Sequence, residues 1–482
     1  MKKYDIIAIG SGSSMNIIPA FLRSRPGAKA AVIDKDDPGG ICLTRGCIPT
    51  KMLVYPAELV RTIHEAGKFG IDAPIRKVDF RKVMGRMRSH VRPQIESIRK
   101  GLGSSDDIDY YPMAAEFTAP YTLKVGKETI TSKLILLCLG SEVLVPPIPG
   151  LDKSKYHTSD TVLDMEKLPE SMIIIGGGYI AAEYGHFFSA MGSKVTILGR
   201  NQQFLPREEP EVSALALRSM SAHMTIVTGQ EVVEVQAGMM GKKKVIAKDR
   251  GTGKTVAFSG EEILVAAGRK PNTEILHPER AGIQVDGKGW IKVNEHMETT
   301  QPGIWAFGDA TGKHLFKHVA NYESMVVYYN AVLGKKMAAD YHAVPHAIFS
   351  YPEIAGVGMT EKEAIQAVGE ENILIGFHKY ADTAKGMAMD AEGFVKVIAE
   401  SGNRRILGAH IIGPQASVLI QELVNLMYTP TGSMMPAVNG MHIHPALGEV
   451  VERACQRLMT PAQYAHLQMH ERGEAHQEHK HH

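Results

Sequence analysis

Cysteine is scarce in this chain: 482 residues hold four, Cys42, Cys47, Cys138 and Cys455. Four are too few to staple a chain of this length, which excludes a secreted disulfide framework. An excess of one charge is lacking too. The 54 Lys and Arg against 52 Asp and Glu leave a net charge of +2, so no field argues for nucleic acid or an anionic membrane as partner. No apolar run approaches the ~18 residues of a membrane span. The opening Met1-Lys-Lys-Tyr-Asp5 leads into only a short apolar stretch before Gly10, and reads as a first strand rather than a signal peptide. The cytoplasm is the expected location. In that reducing compartment a close cysteine pair points to catalysis or metal binding, not to a structural cross-link.

Such a pair is present. Gly39-Gly-Ile-Cys42-Leu-Thr-Arg-Gly-Cys47-Ile-Pro-Thr-Lys51 follows a strand ending at Asp34. Two cysteines five positions apart in a Gly-punctuated segment that opens a helix suit a dithiol that cycles with a disulfide. A zinc pair is the competing reading. It needs further ligands, and Cys138 and Cys455 stand alone in strand and helix settings that suit core packing. No metal site is expected elsewhere. The polar tail carries His470, His476, His479, His481 and His482, without a defined ligand spacing.

Two glycine-rich turns predict dinucleotide sites. Gly10-x-Gly12 lies between the apolar strand Tyr4 to Ile9 and a helix. Asp34 stands at the end of the next strand, where it can accept from a ribose hydroxyl. The third motif position is Met15, larger than usual. The second turn, Gly176-Gly-Gly178-Tyr179-Ile-Ala181, has Ala181 at the small third position. Its next strand, Lys194 to Leu198, runs into Gly199-Arg200. An acid there would accept the 2′-hydroxyl of NAD, whereas a guanidinium suits a 2′-phosphate. NADP(H) is therefore favoured over NAD(H), with a plain surface cation as the bland reading of Arg200. A nicotinamide delivers hydride, a disulfide accepts it poorly, and a flavin between them serves as relay.

These motifs together resemble the FAD-dependent pyridine nucleotide–disulfide oxidoreductases over essentially all of residues 1–460. The resemblance rests on the Cys42–Cys47 segment, Gly176–Glu183, Gly268-Arg269, Gly308-Asp309 and His444-Pro-Ala-Leu-Gly-Glu449. Within the family, Gly46-Cys-Ile-Pro-Thr-Lys-Met52, Tyr156-His-Thr-Ser-Asp-Thr161 and Lys317-His-Val-Ala-Asn321 look most like mycothione reductase, with dihydrolipoamide dehydrogenase near. The resemblance implies an α/β fold: two Rossmann-like dinucleotide-binding domains, for FAD and NAD(P), plus an α+β C-terminal dimerisation domain. The expected bounds are 1–150 and 273–340 for the two parts of the FAD-binding domain, and 151–272 for the NAD(P)-binding domain. The dimerisation domain is expected at 341–465, and a disordered His-rich tail at 466–482.

The resemblance also implies roles. Cys42 would be the interchange thiol and Cys47 the thiol beside the flavin. Lys51 and Glu183 would form an ion pair at the flavin edge, Asp309 a flavin contact, and Tyr179 the shield of the nicotinamide pocket. His444 and Glu449 would be the acid–base dyad, acting on the cysteines of the other subunit of a homodimer. His442 is the rival base. Gly40, Gly140 and His318 go with the FAD site, and Gly268 with the nicotinamide site. Ile41 in place of Thr, and Cys138-Leu139-Gly140 in place of Ala-Thr-Gly, depart from the family pattern. The absence of a terminal cysteine pair argues against mercury reduction. The expected activity is NADPH-dependent reduction of a small-molecule, low-mass thiol disulfide. The alternative is dihydrolipoamide oxidation by NAD within a dehydrogenase complex.

Overall fold

The computed structural model describes residues 1–238 and 241–478, with side chains through His470. Two five-stranded parallel sheets with the same plan organise the first two-thirds of the chain, with three smaller sheets beside them. In one, the strands run in the order Ile304–Ala306, Ile135–Leu137, Ile6–Ile9, Ala30–Ile33, Ile108–Tyr111. In the other they run His157–Thr158, Glu262–Val265, Ser171–Ile175, Lys194–Leu198, Thr225–Val227. The central strands are apolar and buried on both faces, as a parallel sheet covered on both sides requires. The strand Ile304–Ala306 returns to the first sheet from beyond the second.

Register places the functional ends. Ile9 lies opposite Ile33 and Leu137, so Gly10, Asp34 and Cys138 emerge together at the carboxyl edge of the first sheet. Ile175 lies opposite Leu198 and Val265, so Gly176, Gly199 and Ala266 emerge together from the second. Ligands in open parallel sheets bind at this edge.

The remaining domain is a six-stranded antiparallel sheet. Its order is Pro345–Ile348, Ile354–Gly358, Ile406–Ile412, Phe394–Glu400, Ile373–Lys379, Leu458–Met459. Helices Ala416–Met427 and Gly448–Gln456 pack Ile420, Leu423, Val450 and Val451 into its core. A last helix, Pro461–Glu478, runs into the tail that the sequence reading leaves without order. His479, His481 and His482 lie outside the described residues. No helix among the described residues is long and apolar enough to cross a membrane.

One local expectation differs from the structure. The segment after Gly12 is a 3-10 turn, Ser13–Asn16, and the α-helix begins only at Ile18. Pro19 explains the late start, because it lacks an N–H and is at home only in the first turn of a helix. After the cysteine pair the chain forms two helices, Cys47–Glu65 and Phe80–Gly103. Gly70, at φ 75°, ends the first turn system. Asp79 starts the second helix by accepting from Lys82 N at 3.0 Å.

Candidate active site

Cys42 sits in a short helix, Gly40–Thr44, and Cys47 begins the helix Cys47–Glu65. Gly46 makes the corner between them. A Cβ there would lie 2.8 Å from Ile41 O and 3.2 Å from Cys42 Cα, so only glycine lets the second helix start so close to the first. Both cysteines are free thiols, and they are unequal. Cys42 is pushed well above the ordinary thiol range, first by donating its proton to Cys47 and then by burial. Cys47 is lowered to about 6, first by that same hydrogen bond and then, against burial, by the Lys51 ammonium. The two sulfurs share one proton, and the Lys51 ammonium favours negative charge on the Cys47 side.

The helix bearing Cys47 packs on the helix Tyr179–Met191. Lys51, one turn after Cys47, places Nζ 2.7 Å from both carboxylate oxygens of Glu183. Phe349, which the sequence reading missed, completes this site. Its N–H donates to Glu183 Oε1 at 3.1 Å, and its ring centroid lies 4.4 Å from Lys51 Nζ.

The first cradle fits an FAD. Gly10, at φ 96°, would place a Cβ 2.0 Å from Cys138 O. A Cβ on Gly40 would lie 2.7 Å from Gly12 Cα. Backbone therefore meets backbone where a pyrophosphate must come close. Asp34 Oδ2 accepts from Ser11 N at 2.8 Å and Ser11 Oγ at 2.6 Å, ordering the loop beside a cleft lined by Gly10, Lys35, Ala114, Leu139 and Asn272. The two departures from the family pattern are neighbours of this cradle. Ile41 Cδ1 would stand 2.8 Å from a Cβ on Gly140, and Cys138 Sγ lies under Gly12.

Across the sheet edge, Asp309 accepts from Ser141 Oγ at 2.5 Å, and Arg269 donates to that hydroxyl at 2.6 Å and to Ser141 O at 2.7 Å. Burial raises the Asp309 carboxyl. Lys317 is a second residue that the sequence reading missed. Its Nζ donates to Ser13 Oγ at 2.9 Å, and its charge reaches Cys42. It stood in the quoted Lys317–Asn321 stretch, where only His318 drew notice. His318 points elsewhere: its Nε2 lies 2.8 Å from Pro345 O, and its ring stacks on Phe316.

The second cradle repeats the first. Gly176, at φ 140°, would place a Cβ 2.1 Å from Ala266 O. Gly178 caps the helix that starts with Tyr179, and Ala181 is fully buried in its first turn. Tyr179 is exposed at the mouth, where the charges of Arg269, Asp309 and Glu183 reach its hydroxyl. Gly268, at φ 128°, leads into the strand Arg269–Pro271 that carries Arg269. Arg200 is exposed, and among the described residues its guanidinium has no ion-pair or hydrogen-bond partner.

His444 and Glu449 lie away from these groups, at the start of the helix Gly448–Gln456. His444 Nδ1 is 2.9 Å from Glu449 Oε1, and its side chain is 66% exposed, leaving Nε2 for another partner. His444, then the Ala446 N–H, hold the Glu449 carboxyl below its usual range. His442 is 15% exposed, with Nε2 at 3.1 Å from Glu422 and Nδ1 at 3.7 Å from Glu452. It is hemmed by carboxylates where His444 is open. Met441 and Ile443 beside them are strongly exposed. Among the described residues, the one acidic group tight enough for a cation, Glu209, Glu211 and Glu361, already holds the Lys396 ammonium.

Known proteins match the chain along nearly its whole length. A family model described as pyridine nucleotide-disulphide oxidoreductase matches residues 4–332, and the dimerisation domain of the same description matches residues 344–455. Mycothione reductase of Mycobacterium tuberculosis is 37% identical over 466 residues, covering 94% of this chain and 99% of that protein. Dihydrolipoyl dehydrogenase of Thermus scotoductus is 32% identical over 465 residues, covering 95% and 98%. Among solved structures, the Cu(II) complex of the HOCl-induced flavoprotein disulfide reductase RclA from Escherichia coli matches with a TM-score of 0.83 at 27% identity. It covers 95% of this chain and 99% of that one.

Proposed function

The chain belongs to the pyridine nucleotide-disulphide oxidoreductases, flavin-dependent enzymes acting on sulfur groups, and from that premise we propose that it reduces a low-mass disulfide with NADPH through the Cys42–Cys47 pair. The placement of the two thiols carries this reading: Cys47 heads a helix one turn before Lys51, which pairs with Glu183, and Cys42 lies on the short helix across the Gly46 corner. Cys47, beside Lys51, holds negative charge where Gly10, Gly12, Gly40, Lys51, Gly140 and Asp309 would hold FAD. The shared proton must leave before Cys42 can attack.

The exchange then balances. Cys42 loses its proton to a base, and its thiolate attacks one sulfur of the substrate disulfide. A mixed disulfide forms and the first substrate thiolate leaves, taking that proton from the base. Cys47 thiolate attacks the Cys42 sulfur, closes the Cys42–Cys47 disulfide and expels the second thiolate. A bound flavin supplies the two-electron relay from the nicotinamide that returns the pair to dithiol. The base is His444 of a second copy, held in tautomer by Glu449. Support for this comes from the open Nε2 edge of His444, the exposed apolar Met441 and Ile443 around it, and the dimerisation domain that contains it. Arg200 supports NADPH, and the free thiols suit a reducing cytoplasm.

The test is a panel of disulfides, including mycothiol disulfide and lipoamide, assayed with NADPH and with NADH on wild type and Cys42→Ser. NADPH-driven reduction of a low-mass disulfide, abolished in Cys42→Ser, is the expected result. Efficient dihydrolipoamide oxidation by NAD with no low-mass disulfide turnover would instead assign the activity of the dihydrolipoyl dehydrogenase relatives. Full reductase activity in Cys42→Ser would remove the interchange role.

A further inference from the structure

The loop after the strand Lys194–Leu198 of the nicotinamide-side sheet is covered by a hairpin turn about 50 residues further along the chain. Gln230 N donates to Gly199 O at 2.9 Å, Gly229 N to Asn201 O at 2.8 Å, and Arg250 N to Gly229 O at 2.8 Å. Three backbone segments thus lie side by side at the carboxyl end of Lys194–Leu198, where the adenosine ribose of a bound dinucleotide belongs. Arg250 does not extend away from this edge. Its Nη1 turns back to Arg200 O at 3.4 Å. The turn that carries it is fixed by Asp249, whose Oδ1 accepts from Gly251 N at 3.0 Å, Thr252 N at 2.6 Å and Thr252 Oγ1 at 2.9 Å. Asp249 Oδ2 takes Gln230 Nε2 at 2.8 Å, which ties the turn to the neighbouring strand. Asp249 is thereby engaged with the turn's own donors, and among the described residues neither Arg200 nor Arg250 has an ion-pair partner.

From this juxtaposition we infer that Arg250 is a second ligand of the nucleotide's 2′-phosphate, forming with Arg200 a two-guanidinium clamp built from separate parts of the chain. A dianionic phosphate presents three acceptor oxygens, more than one guanidinium fork can satisfy, and two forks at one strand end suit it. A ribose 2′-hydroxyl offers no charge for either. The inference rests on the NADPH reading above and assigns part of that preference to a residue outside the glycine-rich motif and its following strand.

The test uses the FAD-loaded enzyme. Binding of adenosine 2′,5′-bisphosphate is measured by calorimetry, and efficiency with NADPH relative to NADH by steady-state kinetics, for wild type, Arg200→Gln, Arg250→Gln and Arg250→Lys. Arg250→Gln should weaken bisphosphate binding ~10-fold and lower the NADPH/NADH ratio by a similar factor. Arg250→Lys, which keeps the charge and loses the fork, should fall between. Bisphosphate affinity unchanged in Arg250→Gln, with a loss in Arg200→Gln, would overturn the clamp and leave the NADPH reading standing. A wild-type enzyme that binds no bisphosphate and uses NADH equally well would overturn both.

Discussion

Lys51 and Lys396 both meet carboxylates at nearly the same distance, and the surroundings give them different work. Lys396 is fully buried, with Nζ at 2.8 Å from Glu209, 2.6 Å from Glu211 and 2.6 Å from Glu361. Burial alone would pull its ammonium down, and Glu211, Glu209 and Glu361 outweigh that and hold it above the ordinary value. The surplus negative charge has its own donors. Glu361 N donates to Glu209 at 2.5 Å and Tyr464 OH to Glu211 at 2.6 Å. Glu209 immediately precedes the helix Pro210–Ser221, and Glu361 begins the helix Glu361–Val368, so both stand at favourable dipole ends. Every member is satisfied by another, and the group joins the nicotinamide-side domain to the C-terminal sheet.

Lys51 has one carboxylate, and its side chain is 35% exposed. Its remaining neighbours are the Phe349 ring and the Cys47 thiol. A charge with unused capacity facing a thiol serves chemistry, whereas one saturated by its own domain contacts serves cohesion.

Replacing each lysine should separate these uses. The largest effect is expected for Lys396→Met, which strands one buried and two half-buried carboxylates and should cost ~3–5 kcal/mol in a denaturant titration. An unchanged midpoint would remove the cohesive role. The pH dependence has a definite sign. Against burial, Lys396 holds the Glu211 carboxyl below its ordinary value. Its stabilisation is therefore present above ~4.3 and lost as pH falls through the folded-state value. The raised Lys396 contributes fully below its ordinary value and loses that contribution only at alkaline pH. The stability gap between wild type and Lys396→Met should thus narrow below pH ~4.3.

A smaller stability change, ~1–3 kcal/mol, is expected for Lys51→Met, because Glu183 keeps the Phe349 N–H. Its signature lies in the pH profile of alkylation of the reduced enzyme. The Cys47 midpoint should move up from about 6, though not fully to the ordinary thiol value, since the Cys42 hydrogen bond is the larger cause of its lowering. An unmoved profile would break the comparison from the other side. The smallest effect is expected for Tyr464→Phe, which removes one donor from Glu211 and should cost ~1 kcal/mol by thermal melting, with the Cys47 profile unaltered.

What could be read from the sequence was local. The strand–glycine–helix turns, the cysteine pair and the His444-to-Glu449 spacing each declare themselves within a few residues, and the two Rossmann-like domains follow from the family that those motifs resemble. The Lys396 group brings together residues at positions 209, 211, 361, 396 and 464, and no short window contains it. Lys317 and Arg269 lay inside recognisable stretches, yet their hydrogen bonds run to Ser13 and Ser141 on other segments, which only the folded register brings near. The choice between His442 and His444 also waits on tertiary contacts, since Glu422 and Glu452 reach only the first. The late helix start after Gly12 follows from Pro19, which lies outside the glycine motif.

The contact of Gly40 with Gly12, and of Ile41 with Gly140, has a consequence for turnover. When the disulfide opens, the short segment between the thiols loses its covalent tie, and in a loose loop the two sulfurs would drift apart. Here the segment is seated against the floor of the first cradle, so its position does not depend on the bond. On the proposed cycle the opened pair would be a preorganised dithiol at high effective concentration, and closing it after each substrate would require no conformational search.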